Sequence, residues 1–268
     1  MSGISRALGA LPTMARVGFA DAVAYRAEML IWILATTMPL VMMPLWLAVT
    51  RDGPVQGMTS SDVVAYFLAT FIARQLTSCW AAWQINWEVR QGSLSMRLLR
   101  PISPIFAYMV EHLTALPIRL VIALPLTMTL LVVLAGETLP DTVALWALTA
   151  LAMLGAWVLT FFVQLAIGAL SLFMQSSIRI MDVWFAGYMV FSGYLIPLRM
   201  FPGWVRALLD WLPFRYQIGL PVELLTGAHA LPEAASLVVR QWAFALIAMA
   251  IGILVWKRGV ARFSAYGG

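Results

Sequence analysis

Charge is scarce in this 268-residue sequence: 11% of its residues are Asp, Glu, Lys or Arg, against about 25% in an ordinary soluble domain. With 62% hydrophobic residues and a mean hydropathy of +0.89, that scarcity excludes a soluble globular protein and implies an integral membrane one. Lysine occurs once, at Lys257, followed by Arg258, so no GxxxxGK[ST] phosphate loop exists and ATP is not hydrolysed by that route. The single cysteine, Cys79, excludes an intrachain disulfide. Two histidines, His112 and His229, lie too far apart for a two-histidine metal motif, and no metal site is expected. GxSxG, HExxH and paired-cysteine motifs are also missing, and Asp210, Glu223 and Glu233 form no recognisable acid pair or metal cluster in the sequence.

What is plentiful is long apolar runs. Crossing about 30 Å of hydrocarbon takes about 20 residues, and runs of that kind place six spans near 29–49, 62–83, 112–135, 142–173, 183–198 and 237–256. The fold class expected is therefore all-α, with a transmembrane domain over 28–268. Residues 1–27 read as an amphipathic interfacial helix, with Arg6, Arg16 and Arg26 between apolar positions; a signal peptide is rejected for want of a compact apolar core and cleavage site. Pro39, Pro44, Pro117 and Pro125 are expected to kink the first and third spans.

Basic residues fall on one side of a six-span chain: Arg6, Arg16, Arg26, Arg90, Arg97, Arg100, Arg179, Lys257, Arg258 and Arg262. Arg51 beside Asp52, then Glu137 and Asp141, occupy the opposite short loops, so both termini are expected in the cytoplasm. The same placement explains the basic net charge of +5 by topology, and no nucleic-acid partner is expected.

The chain is organised around residues 88–107. Ser93 is placed to cap a short helix whose apolar face is Leu94, Leu98 and Leu99 and which Pro101 stops; Ser103 and Pro104 start the next. Such an element suits a solvated positive-inside loop, a helix on lipid headgroups, or an insert for a groove on a cytoplasmic partner. Residues 199–235 are too polar to span and too apolar for a free loop. They read either as short helices dipping into the outer leaflet and packed on protein, or as an interfacial pair held by aromatic residues.

Arg74 falls mid-span, where it must face protein or water; Thr77 and Ser78 share its face. His112 and Arg119 lie on one face of the third span, Gln164 adds a polar group to the fourth, and Gly187 and Gly193 lighten the fifth. These positions, Gly193 included, are candidates for a pathway or subunit seam, the alternative being structural hydrogen bonds inside the membrane.

Together these features resemble the permease subunits of the second class of ABC exporters, over nearly the whole chain. Gly92 to Pro101 is similar to that family's G-x-L-x-x-x-L-L-R-P turn, as found in a bacterial subgroup, and Pro213, Phe214 and Pro221 to its outer P-F-x-x-x-x-x-x-P segment, with Pro202 and Trp211 nearby. The resemblance implies an ATP-driven exporter whose ATPase is a separate chain in two copies, carrying ATP and Mg, while this chain binds no cofactor. It implies that Glu88, Arg90, Gly92, Ser93, Leu94, Arg97, Leu98, Leu99, Arg100 and Pro101 couple to that ATPase. A second permease, identical or different, completes the path in a bacterial inner membrane, and the cargo is an amphipathic small molecule or a lipid. The rival readings are an intramembrane lipid-modifying enzyme, with Glu111, His112 and Arg119 as its headgroup site, and a non-transporting assembly factor.

Overall fold

A computed structural model describes residues 36–174 and 176–263, with Pro12, Thr13, Arg16, Val17, Ala20, Ile31 and Leu34. Most of the interfacial segment 1–27 and the first part of the span 29–49 therefore lie outside the described residues. Those that are described form helices and no strand; Val55 and Met58 make one isolated bridge.

Among the described residues the α-helices follow in the order α1 Met38–Val49, α2 Ser60–Thr77, α3 Ala81–Arg90, α4 Leu94–Leu98, α5 Pro104–Thr114, α6 Leu116–Ala135, α7 Val143–Ala169, α8 Ile178–Phe191, α9 Gly203–Leu209, α10 Gly219–Leu225 and α11 Leu231–Val260. Four helical stretches among the described residues are long and apolar enough to cross a membrane: Ser60–Arg90, Pro104–Thr138, Val143–Leu172 and Leu231–Val260. The shortest of them has 30 residues, about 45 Å at 1.5 Å per residue, which exceeds the hydrocarbon thickness. α8, with 14 residues, is shorter than a span.

Three boundaries differ from those read in the sequence. The helix expected over 183–198 runs from Ile178 to Phe191, because Arg179 and Asp182 sit exposed in its first turns and do not break it, whereas Gly193 adopts a left-handed φ of 89° and turns the chain. The second span is broken at 78–80 and resumes to Arg90. Pro117 stands in the first turn of α6, where its missing N–H costs nothing, and the Leu113 carbonyl is taken by the Ala115 N–H; it begins a helix segment instead of kinking one. Pro125 does lie inside α6.

α7 and α11 form the main packed pair. A Cβ on Gly252 would come within 2.9 Å of the Phe162 carbonyl oxygen, so the two backbones approach as only glycine permits. α2 packs on α1 and α6, and α3 on α7, while α8 touches mainly α3 and α7. One end of the bundle carries the turn 91–103, the turn near Phe173 and the end of α11; Arg262 lies 5.8 Å from the centre of the Phe173 ring. The opposite end carries 50–59, 136–142 and 192–230. There the Trp46 indole donates to the Leu195 carbonyl (3.0 Å), and the Tyr66 hydroxyl to the Gly193 carbonyl (2.8 Å).

The segment 199–235 divides in two. α9 and the turn after it are outward-facing, with Trp204 74% and Trp211 78% exposed, whereas every residue of α10 is buried against α7 and α2. Gln217 donates to the Thr160 hydroxyl (3.2 Å), and Gln241 of α11 donates to the Tyr216 and Ala152 carbonyls (2.8 and 2.9 Å). These bonds satisfy irregular backbone inside an apolar bundle, the condition under which such backbone is tolerated there.

Candidate functional site

The turn at 91–103 is built from its glycine outward. Gly92, with φ 73°, ends α3 in the left-handed conformation, and α4 follows at once. Ser93 occupies the capping position but makes no capping bond; its hydroxyl donates back to the Glu88 carbonyl (3.4 Å). Ser95 donates to the Gly92 carbonyl (2.6 Å). Leu94 is fully buried and Leu98 packs partly against the same core, so α4 is pinned by its apolar face.

Arg97, expected to face outward with the other arginines, turns inward. Its guanidinium donates to both Glu88 oxygens (Nη2–Oε1 2.7 Å, Nε–Oε2 2.9 Å) and to both oxygens of Glu111 (Nη1–Oε1 2.7 Å, Nη2–Oε2 3.3 Å). It lies 4.2 Å from the centre of the Tyr108 ring, whose hydroxyl donates to Glu88 (2.6 Å), and Gln84 donates to Glu111 (2.8 Å). One planar, five-donor group thus ties α3, α4 and α5 together, a geometry a lysine lacks. Burial alone would lower the Arg97 pKa, but the bonds to Glu111 and Glu88 hold it raised, so the group stays charged.

With Arg97 and Leu94 turned inward, the outer surface of the turn consists of Arg90, Ser93, Met96, Leu99, Arg100 and Pro101, with Trp87 just before it. Leu99 is 80% exposed, Met96 66% and Trp87 65%. Cationic groups thus stand beside large exposed apolar ones on a base locked by an ion pair.

The polar residues expected along a pathway or seam are mostly interior. Thr77, Ser78, His112, Arg119 and Gln164 are all buried. Gln164 explains the break in the second span: its side-chain amide donates to the Cys79 carbonyl (2.5 Å) and accepts from the Ala82 N–H (3.3 Å), entering the ladder of α2 and α3 from α7. Arg119 donates to the Ser78 hydroxyl (2.7 Å) and lies 4.6 Å from the centre of the Trp80 ring; His112 meets the same ring edge to face at 4.5 Å. Thr77 bonds its own helix at the Ala73 carbonyl (2.8 Å). Gly193 presents its carbonyl to Tyr66. Arg74 is half-buried, donating to the Tyr188 hydroxyl (3.3 Å) beside the rings of Tyr188 and Tyr194. The structure therefore gathers Arg74, Ser78, His112, Arg119 and Gln164 about the break at 78–80, whereas Thr77 bonds within its own helix and Gly193 meets Tyr66.

A network absent from the sequence reading lies at the opposite end. Arg215 pairs with Asp210 and with Glu223 (2.9 Å), and His229 bridges Glu223 (3.0 Å) and Glu233 (3.1 Å). Burial alone would raise the Glu223 pKa; the hydrogen bond from His229 and the Arg215 charge outweigh it and hold the carboxyl below its usual range. Burial alone would lower that of His229, but Glu223, then Glu233, raise it. Between Glu223 and His229 the chain turns at Gly227, which has a left-handed φ of 60°. Pro213 and Phe214 sit within the segment 199–235, Phe214 against Trp184 with ring centres 4.6 Å apart, while Pro202 opens α9 and Pro221 is buried in α10. Among the described residues no group of His, Cys, Asp and Glu is arranged to hold a metal ion.

A family model described as ABC-2 family transporter protein matches residues 31–267. No curated protein and no solved structure matches the chain.

Proposed function

The chain belongs to the ABC-2 family of transporter proteins, a multi-pass membrane permease that works with an ABC ATPase, and from that premise we propose that the turn 88–107 is where the ATPase acts. The observation that carries this reading is the division of labour within the turn: Arg97 locks its base while Trp87, Arg90, Met96, Leu99 and Arg100 stand outward. A base crosslinked across three helices passes on a displacement that a loose loop would absorb. Movement of α4 is then delivered to α3 and α5, and through them to the two long spans they continue. ATP and Mg reside on two partner ATPase chains.

The remaining parts of the reading follow from the same premise. Six spans are counted by adding α1 and α8 to the four long stretches. Basic residues at the end that bears the turn support a cytoplasmic placement of that end and of both termini in a bacterial inner membrane. One such subunit makes half a path, which a second permease completes, and the cargo moved outward is amphipathic or a lipid. The rival lipid-modifying reading loses its site, since Glu111 is engaged by Arg97 and Gln84 and the His112 ring is enclosed by Trp80 and Phe161.

The test is co-purification of the ATPase with Met96→Glu and Leu99→Glu permeases, together with ATP hydrolysis by the purified complex. Loss of the ATPase from a permease that still inserts is the expected result. Undiminished co-purification and hydrolysis in both variants would remove this surface from the reading.

A further inference from the structure

Two guanidinium groups converge on the break at 78–80 from different spans. Arg74 lies in the last turn of α2 and Arg119 in the first turn of α6. Ser78, which accepts from Arg119, follows Arg74 by four positions, and its N–H donates to the Arg74 carbonyl (3.0 Å), so both cations occupy one face. Arg119 thus lies against the turn that directly follows Arg74. Among the described residues no carboxylate pairs with either. Their partners are a serine hydroxyl, a tyrosine hydroxyl and the faces of Trp80, Tyr188 and Tyr194, which stabilise a cation without neutralising it. The Arg74 Nε is buried and meets no acceptor among the described residues. Like charges held together in a membrane interior repel, and each is expensive there alone. An anion shared by them answers both costs, and Arg74 is only half-buried.

We propose that Arg74 and Arg119 receive the anionic group, phosphate or carboxylate, of an amphiphile whose hydrocarbon tail stays in the bilayer. This deepens the permease reading by naming an acidic amphiphile as the ligand, and it rests on that reading only for the direction of movement. A phospholipid headgroup and an acidic exported amphiphile share this chemistry.

The experiment uses the full-length chain in dodecyl maltoside, with dodecyl phosphate as probe and dodecyltrimethylammonium as the cation of equal tail length. Binding is read as the rise in unfolding midpoint. Dodecyl phosphate is expected to bind the native chain more tightly than the cation, with affinity about tenfold weaker in R74Q and in R119Q and near native in R74K. Phospholipid carried through purification and retained when ATP is added to the assembled complex assigns the site to lipid. Stimulation of ATP hydrolysis by the probe, in proportion to its binding, assigns it to cargo. Equal affinity for the two probes, or anion binding unchanged in both glutamine variants, overturns the proposal. So does probe binding that emerges only in D21N or E28Q, which would reveal a counter-charge within the chain. Because binding is read without the ATPase, failure here leaves the coupling surface standing, and failure of Met96→Glu and Leu99→Glu to uncouple leaves this site standing.

Discussion

Replacing Arg97 by alanine leaves Glu88 and Glu111 facing each other without their shared cation. Breaking a buried pair costs about 3–5 kcal/mol, and with Glu111 37% exposed to solvent the cost here is about 2–3 kcal/mol. Arg97→Ala should therefore lower the unfolding midpoint and uncouple hydrolysis from transport together, with Arg97→Lys intermediate because it restores charge without the fork. Leu99→Glu, on an 80% exposed position, should uncouple with an unchanged midpoint. The pairing of the two measurements separates a residue that holds the turn from one that touches the ATPase. His229 gives a second residue-scale prediction, with a definite sign. Its folded pKa is raised, so its contribution is complete below the ordinary value of 6.5 and is lost as pH rises through the higher folded value. The Glu223 carboxyl, held low, contributes above its ordinary value of 4.5 and loses that contribution only as pH falls through its lower folded pKa. Protection of the amides in 223–233, taken relative to their intrinsic base-catalysed exchange, should accordingly be greatest in mildly acidic buffer and fall on the alkaline side of 6.5, and His229→Gln should abolish that fall.

At the scale of elements, the break at 78–80 depends on a side chain from another helix. Gln164→Leu leaves the Cys79 carbonyl and the Ala82 N–H unsatisfied in a buried setting, at about 1–3 kcal/mol for each group left unpaired. The expected outcome is a lower unfolding midpoint with faster exchange at Ala82, measured against Gln164→Glu, which keeps an acceptor for that N–H. This dependence explains what the sequence could and could not reveal. α7 is legible because it is a long uncharged run, α11 because Gln241 to Trp256 is one between Arg240 and Lys257, and the α4 turn because Gly92 and Pro101 bracket an apolar stripe. The break in α2 and α3 is not, since 78–80 contain neither glycine nor proline and its cause, Gln164, lies 85 positions from Cys79. The start of α8 is not legible either, because Arg179 and Asp182 read as loop charges although both sit exposed in the first turns of that helix. The inward turn of Arg97 was hidden for the same reason as the Arg215 network: composition shows that a cation is present, but only packing shows which carboxylates it meets.

At the scale of the molecule, function requires that the two ends of the bundle face different compartments. One end exposes Arg90, Met96, Leu99 and Arg100, and the other exposes Trp204 and Trp211. Tryptophan favours the interface between hydrocarbon and water on either side, so the tryptophans alone do not orient the protein; the arginines do, through their bias toward the cytoplasm. The chain is well suited to a direct measurement because its one native thiol, Cys79, is buried and contributes little background. Leu99→Cys and Gly203→Cys place new thiols on exposed positions at opposite ends. In intact spheroplasts a membrane-impermeant maleimide should label Gly203→Cys at once and Leu99→Cys only after permeabilisation. Co-expression of the ATPase should then protect Leu99→Cys in the permeabilised sample while leaving Gly203→Cys reactive, because an engine that docks on the turn covers one end of the bundle and leaves the other free. Labelling of Leu99→Cys in intact spheroplasts would put the turn beyond reach of any cytoplasmic ATPase, and the clamp at Arg97 would then need a purpose other than coupling.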